Sequence, residues 1–302
     1  MSSIGIKKHS KIKQLSGYDI TATVLVILFA VFCVYPMLVV LGTSFSDEAA
    51  IKSLGYSAIP RDFSLRAYGL VFRKGSSIIR AYGVSGTVTV IGTFFAVLIT
   101  GMGGFTLANK SVRYRGHLSM FFYVTMLFNG GLVPWYMICT TLGLKDNWAA
   151  LIVPNLLFSV WNMFLVRNFM RTIPDSIIES ARIDGANDVI IAFRMYFPLS
   201  MPVLATITLF AALGYWNDWW NAVMLIDTNR DLYPLQYMLF TLQSDMAALR
   251  RLQQMGIEIV LDPPAETLKM ATVIVTIGPI VLLYPFLQRY FVKGLVMGSV
   301  KG

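Results

Sequence analysis

The chain has 302 residues, 56% of them hydrophobic and 14% charged, with a formal net charge of +9. Water-soluble domains carry charge on about a quarter of their residues, so the long apolar blocks here call for lipid as solvent and exclude a compact soluble fold. Two histidines (His9, His117) and two cysteines with no C-x-x-C spacing (Cys33, Cys139) leave histidine catalysis, structural zinc and thioredoxin-type chemistry without material.

The predicted elements run as follows. Residues 1–19 form a cytoplasmic N-terminal segment with Lys7, Lys8, Lys11 and Lys13. Six blocks then reach the roughly 20 apolar residues a membrane crossing needs: 20–42, 83–108, 117–140, 149–170, 201–226 and 268–292. The first is too long for a signal-peptide core and no small-x-small cleavage pattern follows it, so it reads as a span. The expectation is an all-α polytopic membrane protein, with six transmembrane helices over 20–292 and a cytoplasmic tail over 293–302. The outer loops 43–82 and 227–267 and the inner loop 171–200 are longer than a turn requires, which marks them for function or disorder.

Orientation follows from Lys and Arg. With the N-terminus inside, the cytoplasmic segments also collect Lys110, Arg113 and Arg115, then Arg167, Arg171, Arg182 and Arg194, then Arg289, Lys293 and Lys301. Fourteen basic residues face five acids inside, while the outer loops are nearly neutral. This distribution explains the basic charge without nucleic acid and places both termini in the cytoplasm.

The inner loop reads Ile173-Pro174-Asp175-Ser176-Ile177-Ile178-Glu179-Ser180-Ala181-Arg182-Ile183-Asp184-Gly185-Ala186. Ser176 and Glu179 fit a capping box, Glu179 and Arg182 an i, i+3 ion pair, and Gly185 a left-handed helix stop. The prediction is a helix of about two turns, too short to hold alone in water. It must pack on its own bundle or on another protein, and these features leave both open.

Glu179, Ala181, Asp184, Gly185, Ala186 and the later Pro198 resemble, in register, the E-A-A-x-x-D-G-A motif of ABC importer permeases. Ser180 stands where that motif has alanine, and Ala192, with Phe193 beside it, where it commonly has phenylalanine. The order of spans is similar to the maltose-type carbohydrate permeases. Trp216-Asn217-Asp218-Trp219, the segment Pro264–Ala271 and the tail Tyr284–Gly294 resemble the LplC- and YtcP-like oligosaccharide branch. The resemblance implies a type I importer permease fold in which Glu179, Ser180, Ala181, Asp184, Gly185 and Ala186 dock on a cytoplasmic ATPase. A capping role for Glu179 is compatible with docking. It further implies a second, related permease chain, two ATPase subunits holding ATP and Mg, an extracytoplasmic solute-binding protein and a carbohydrate substrate, all in a bacterial cytoplasmic membrane. The chain has no G-x-x-x-x-G-K-[ST] segment to hold nucleotide itself; Gly101, Gly103 and Gly104 read as close helix packing. No catalytic residue, metal or cofactor is expected in this chain.

Asp218 is the one acid well inside a predicted span, where a charge costs ~2.5–3.5 kcal/mol at the bilayer centre. Trp216, Asn217, Asp218, Trp219 and Asn221, with Trp220, are therefore translocation-path candidates: flat rings with amide and carboxylate groups suit sugars. A structural polar contact and an interfacial aromatic belt are the alternatives. Asn129, Trp135, Asn155, Trp161 and Asn162 read as packing first and pathway second. The loop 227–267, with Arg250, Arg251, Gln253 and Gln254, is expected to meet the solute-binding protein or to pack on the permease pair. Other readings are a peptide, lipid or polyol permease, an ion-coupled secondary transporter, for which repeats and further membrane acids are missing, and an intramembrane enzyme, for which a nucleophile–base pair is missing.

Overall fold

The computed structural model describes residues 17–73, 75–154, 156–254, 266–279 and 281. Among these the chain forms helices and turns but no strand; a single bridge pair joins Ser46 and Phe63. The first helix, α1 (Gly17–Ser44), is mostly apolar after Asp19 in its first turn and buries only Gly42, Thr43 and Ser44. Its 28 residues give about 42 Å of rise, more than the roughly 30 Å of a hydrocarbon core. A helix apolar on every face and bare along its length belongs against lipid or another membrane helix, not water.

The connection 43–82 holds α2 (Glu48–Leu54), capped by the Asp47 carboxylate, which accepts from Ala49 N at 2.9 Å, and α3 (Arg66–Arg73). The pillar of the fold, α4 (Gly75–Ala108), starts eight residues before the predicted span. Its first turns are too polar to register as apolar, yet they are held: Arg80 pairs with Asp231, and the Tyr82 hydroxyl donates to the Val275 carbonyl.

Three predicted spans are not single helices. The block 117–140 is α5 (Arg115–Leu127) and α6 (Leu132–Thr141), bent by 115°. The Asn129 side chain accepts from Gly131 N at 2.8 Å and Gly131 takes φ +86°, so Asn129-Gly130-Gly131 makes a turn where mean apolarity suggested a helix. The block 149–170 is α7 (Trp148–Ile152) and α8 (Val160–Met170). Pro154 cannot continue α7, and α8 restarts at Ser159, whose hydroxyl accepts from Asn162 N at 3.3 Å. The block 201–226 also divides, and its second half is described after the loop 171–200.

The loop 171–200 folds into α9 (Asp175–Ile183), α10 (Asp188–Ile191), a π-helical turn over Ala192–Tyr196 and α11 (Phe197–Leu199). This run meets α12 (Met201–Trp216) at an 83° bend. After a break at 217–219 come α13 (Trp220–Leu225) and α14 (Leu235–Gln254), followed by a helical stretch over 266–279. The loop 227–267 thus contains a 20-residue helix that its polar composition did not announce. Of the expected sixth span, only 268–279 and 281 fall within the described residues; the tail motif lies outside them, as do Pro264 and Ala265.

Both α8 and α12 pack along α4. A Cβ on Gly104 would lie 2.6 Å from Val166 Cγ1 and 3.1 Å from the Arg167 backbone nitrogen, so only glycine lets α4 and α8 approach this closely. One core cluster gathers Val84, Leu151, Tyr215, Leu225 and Ile226 with Leu232 of the 227–267 loop. A second gathers Phe105, Ala108, Val166, Met170, Ala181 and Tyr196 beneath α9.

Candidate functional site

Helix α9 begins one residue after Pro174, which holds extended backbone at φ −60°, ψ 134°. Ser176 therefore lies inside the helix rather than at its cap, no side chain caps the N-terminus, and the predicted capping box does not form. The Ser176 carbonyl instead accepts from the Ser180 hydroxyl at 2.7 Å. The C-terminus closes as Gly185 predicts: φ is +82°, Gly185 N donates to Arg182 O at 3.0 Å and Ala186 N to Ala181 O at 2.9 Å. These two bonds make a Schellman motif, with Ala181 and Ala186 packing into the same core cluster.

Two cations clamp α9 to the turn after α4. Lys110 pairs with Asp175 at the start of the helix. Arg182, near its end, donates to the Ser111 hydroxyl, to Asn109 Oδ1 at 3.4 Å and to Asp188 Oδ1 at 3.0 Å. The expected Glu179–Arg182 pair is thus replaced by one that bridges α4, α9 and α10. The clamp escaped the sequence reading because Lys110 and Arg182 carried only topology or helix-face signals, and nothing local links Lys110 to Asp175, 65 positions on, or Arg182 to Ser111, 71 positions back. Tyr196 sits below, its ring edge-on to Phe105 at 5.0 Å. Burial pushes its phenol above the ordinary range, with Asp175 adding to the effect and Arg182 opposing it.

The clamp leaves α9 with two unlike faces. Ala181 is 3% exposed and Ile178 packs beside it, whereas Ile183 is 86% exposed. Glu179, Ser180, Asp184 and Gly185 are all exposed with Ile183, and Val189, Ile190 and Phe193 extend the open apolar surface. The helix thus has one face locked into the bundle and the other open, with the clamp joining it to the turn after α4 and the π-helical turn leading on toward α12.

The path candidates lie around the other end of α12: Trp216 ends that helix, Asn217, Asp218 and Trp219 form the break, and Asn221 lies in the first turn of α13. The Asp218 carboxylate accepts from Trp220 N at 3.1 Å, Asn221 N at 3.2 Å and the Asn221 amide at 2.8 Å, so it caps α13. Asn221, 1% exposed, also donates to the Pro154 carbonyl at 3.1 Å, tying this break to the break between α7 and α8. Trp216 donates to Thr276 O at 3.4 Å, Asn217 accepts from Gln236 at 3.1 Å, and Trp219 stacks on Phe240 at 4.7 Å. Contacts within the chain engage all five.

A cleft of about 220 Å³ opens where α8 restarts, lined by Thr100 of α4, Leu156, Ser159 and Asn162 of the break and α8, and Ile207 and Phe210 of α12. The 11 residues of α8 rise only about 16 Å, about half a hydrocarbon core. Alone it is too short to cross a membrane, and its irregular start lies against α4 and α12. Of the secondary candidates, Asn162 lines this cleft and Asn129 holds its turn. Trp135 packs on the first core cluster and Trp161 is exposed; Asn155 lies outside the described residues.

Residues 99–296 match the family described as "Binding-protein-dependent transport system inner membrane component". The chain is 35% identical over 286 residues to the polygalacturonan/rhamnogalacturonan transport system permease protein YtcP of Bacillus subtilis (strain 168), covering 94% of this chain and 98% of that one. It is 35% identical over 271 residues to protein LplC of the same organism, covering 89% and 90%. Among solved structures, a chain from the crystal structure of a bacterial ABC transporter involved in the import of the acidic polysaccharide alginate superposes with a TM-score of 0.79. It shares 29% identity, over 91% of this chain and 96% of that one. The chain therefore belongs to the inner membrane components of binding-protein-dependent transport systems and has the all-helical fold of an ABC importer permease.

Proposed function

We propose that the chain forms half of the translocation path of an importer for a carbohydrate, and specifically an oligosaccharide, and that α9 couples it to a separate ATPase. In this reading a second, related permease chain supplies the other half. Two ATPase subunits hold ATP and Mg, an extracytoplasmic solute-binding protein delivers the sugar, and both termini and α9 lie in the cytoplasm. The observation that carries the reading is the clamped α9, with Ala181 locked into the core and Ile183 bare beside Glu179 and Asp184. The saccharides named for the relatives support the substrate class.

The reading gives the residues these roles. Glu179, Ser180, Asp184 and Gly185 present the docking surface, while Ala181 and Ala186 seat the helix. Trp216, Asn217, Asp218, Trp219 and Asn221 hold the shape of the path, and the cleft at Thr100, Ser159 and Asn162 offers hydroxyl and amide groups toward it. The test is ATP hydrolysis and uptake by the reconstituted four-subunit complex with its binding protein. Gly185→Pro or Glu179→Lys should abolish transport-coupled hydrolysis while membrane insertion is unchanged. Normal coupling in both variants would overturn the docking assignment. A ligand screen on the binding protein decides the substrate, and binding of peptides or polyols in place of oligosaccharides would overturn that part.

A further inference from the structure

Three arginines gather where α5 begins and α8 ends, on the same end of the bundle as α9. Arg115 opens α5, Arg167 lies in the last turn of α8 and Arg171 follows it. The two helices pack together, and Arg167 sits in the positive field of both Arg171 and Arg115. Neither buried nitrogen in this group is satisfied: Arg115 Nη1 and Arg167 Nε have no hydrogen-bond partner. None of these three arginines enters an ion pair among the described residues. Arg167 has only the Phe164 ring below its guanidinium, at 5.6 Å.

Like charges with unmet donors are costly to hold together unless an anion joins them. Guanidinium forks match phosphate oxygens in pairs, and arginine is suited to that geometry above lysine. The surroundings select the kind of phosphate. Beside the arginines, Leu118 and Phe121 on α5 and Trp161 and Leu165 on α8 are exposed apolar side chains. A headgroup at the arginines would lay its acyl chains along them. Basic pockets between helices at the cytoplasmic boundary are suited to anionic lipids.

We propose that Arg115 and Arg167, with Arg171 completing the field, form a site for the phosphate of an anionic phospholipid at the junction of α5 and α8. The test is native mass spectrometry of the assembled transporter after equilibration with phosphatidylglycerol and phosphatidylcholine of matched chains. The wild-type complex should retain phosphatidylglycerol preferentially. Retention should fall about fivefold for each arginine replaced in Arg115→Gln and Arg167→Gln, and it should survive in Arg113→Gln. The Arg115→Lys/Arg167→Lys double variant, which keeps the charge and guards against a folding defect, should retain more than the glutamine double variant. Excess inorganic phosphate should leave the lipid in place. Equal retention in wild type and glutamine variants would overturn the proposal, as would displacement by inorganic phosphate, or a carboxylate of another subunit seated on these arginines in the assembled complex.

Discussion

At Gly185 the backbone stands at φ +82° with open space where a Cβ would project, so only the conformation, not crowding, selects the residue. Gly185→Ala should weaken the closure of α9 by about 1–2 kcal/mol, the ordinary cost of left-handed backbone for an L-residue, and Gly185→Asn by less. Hydrogen exchange at the Gly185 and Ala186 amides reads the difference directly. Asp218 accepts three bonds at the start of α13, and Asp218→Ala should lower stability by about 1–3 kcal/mol, seen as an earlier thermal unfolding of the solubilised protein. The Gly185 role was legible because the need for positive φ is local. The Asp218 role was not. Its partners include an amide three residues on, but the tie continues to the carbonyl of Pro154, and no local pattern joins those positions. The failed capping box has a local cause: Pro174 takes the cap position, which moves Ser176 into the helix.

At the scale of elements, the apolar blocks were visible but their interruptions were averaged away. Asn129-Gly130-Gly131 and Pro154 are breakers in plain view, yet flanking residues keep a wide hydropathy window high across them. The clamp of α9 makes a prediction of its own. The Arg182 side chain is partly solvated, so Arg182→Ala should cost only about 1 kcal/mol of stability while sharply reducing coupled ATP hydrolysis, because the link from α9 to Asn109 and Asp188 is gone. At the opposite end the Asp146 carboxylate ties the loop before α7 to the start of the 227–232 turn. Backbone N–H groups of Thr228, Asn229 and Asp227, with the Thr228 hydroxyl, hold it below the ordinary carboxylate range. A depressed value means the tie is at full strength above the ordinary carboxylate range and is lost as pH falls through the lower folded value. Amide protection factors at Thr228 and Asn229 should therefore drop on acidification in wild type, and be low and nearly pH-independent in Asp146→Ala.

For the molecule as a whole, composition and the long apolar blocks were enough to name a polytopic membrane protein, and the packing of α4, α8 and α12 explains how it holds together. At Gly104 the packing of α4 on α8 leaves no room for a Cβ, which would lie 2.6 Å from Val166 Cγ1. Gly104→Val should destabilise by about 1–3 kcal/mol through overpacking, read as a lower melting temperature and a lower yield of folded protein. The long exposed α1 and the open face of α9 are surfaces that a single chain leaves unfinished, which is how a subunit looks apart from its assembly. Because the clamp fixes one face of α9, the other should meet the ATPase. The direct measurement is short-range cross-linking from Ile183→Cys, in a Cys33→Ala/Cys139→Ala background, within the assembled transporter in sealed membranes. A cross-link to the ATPase subunit, with no labelling by an impermeant maleimide from outside, is the result this structure predicts; labelling from outside, or no cross-link with the ATPase present, would contradict it.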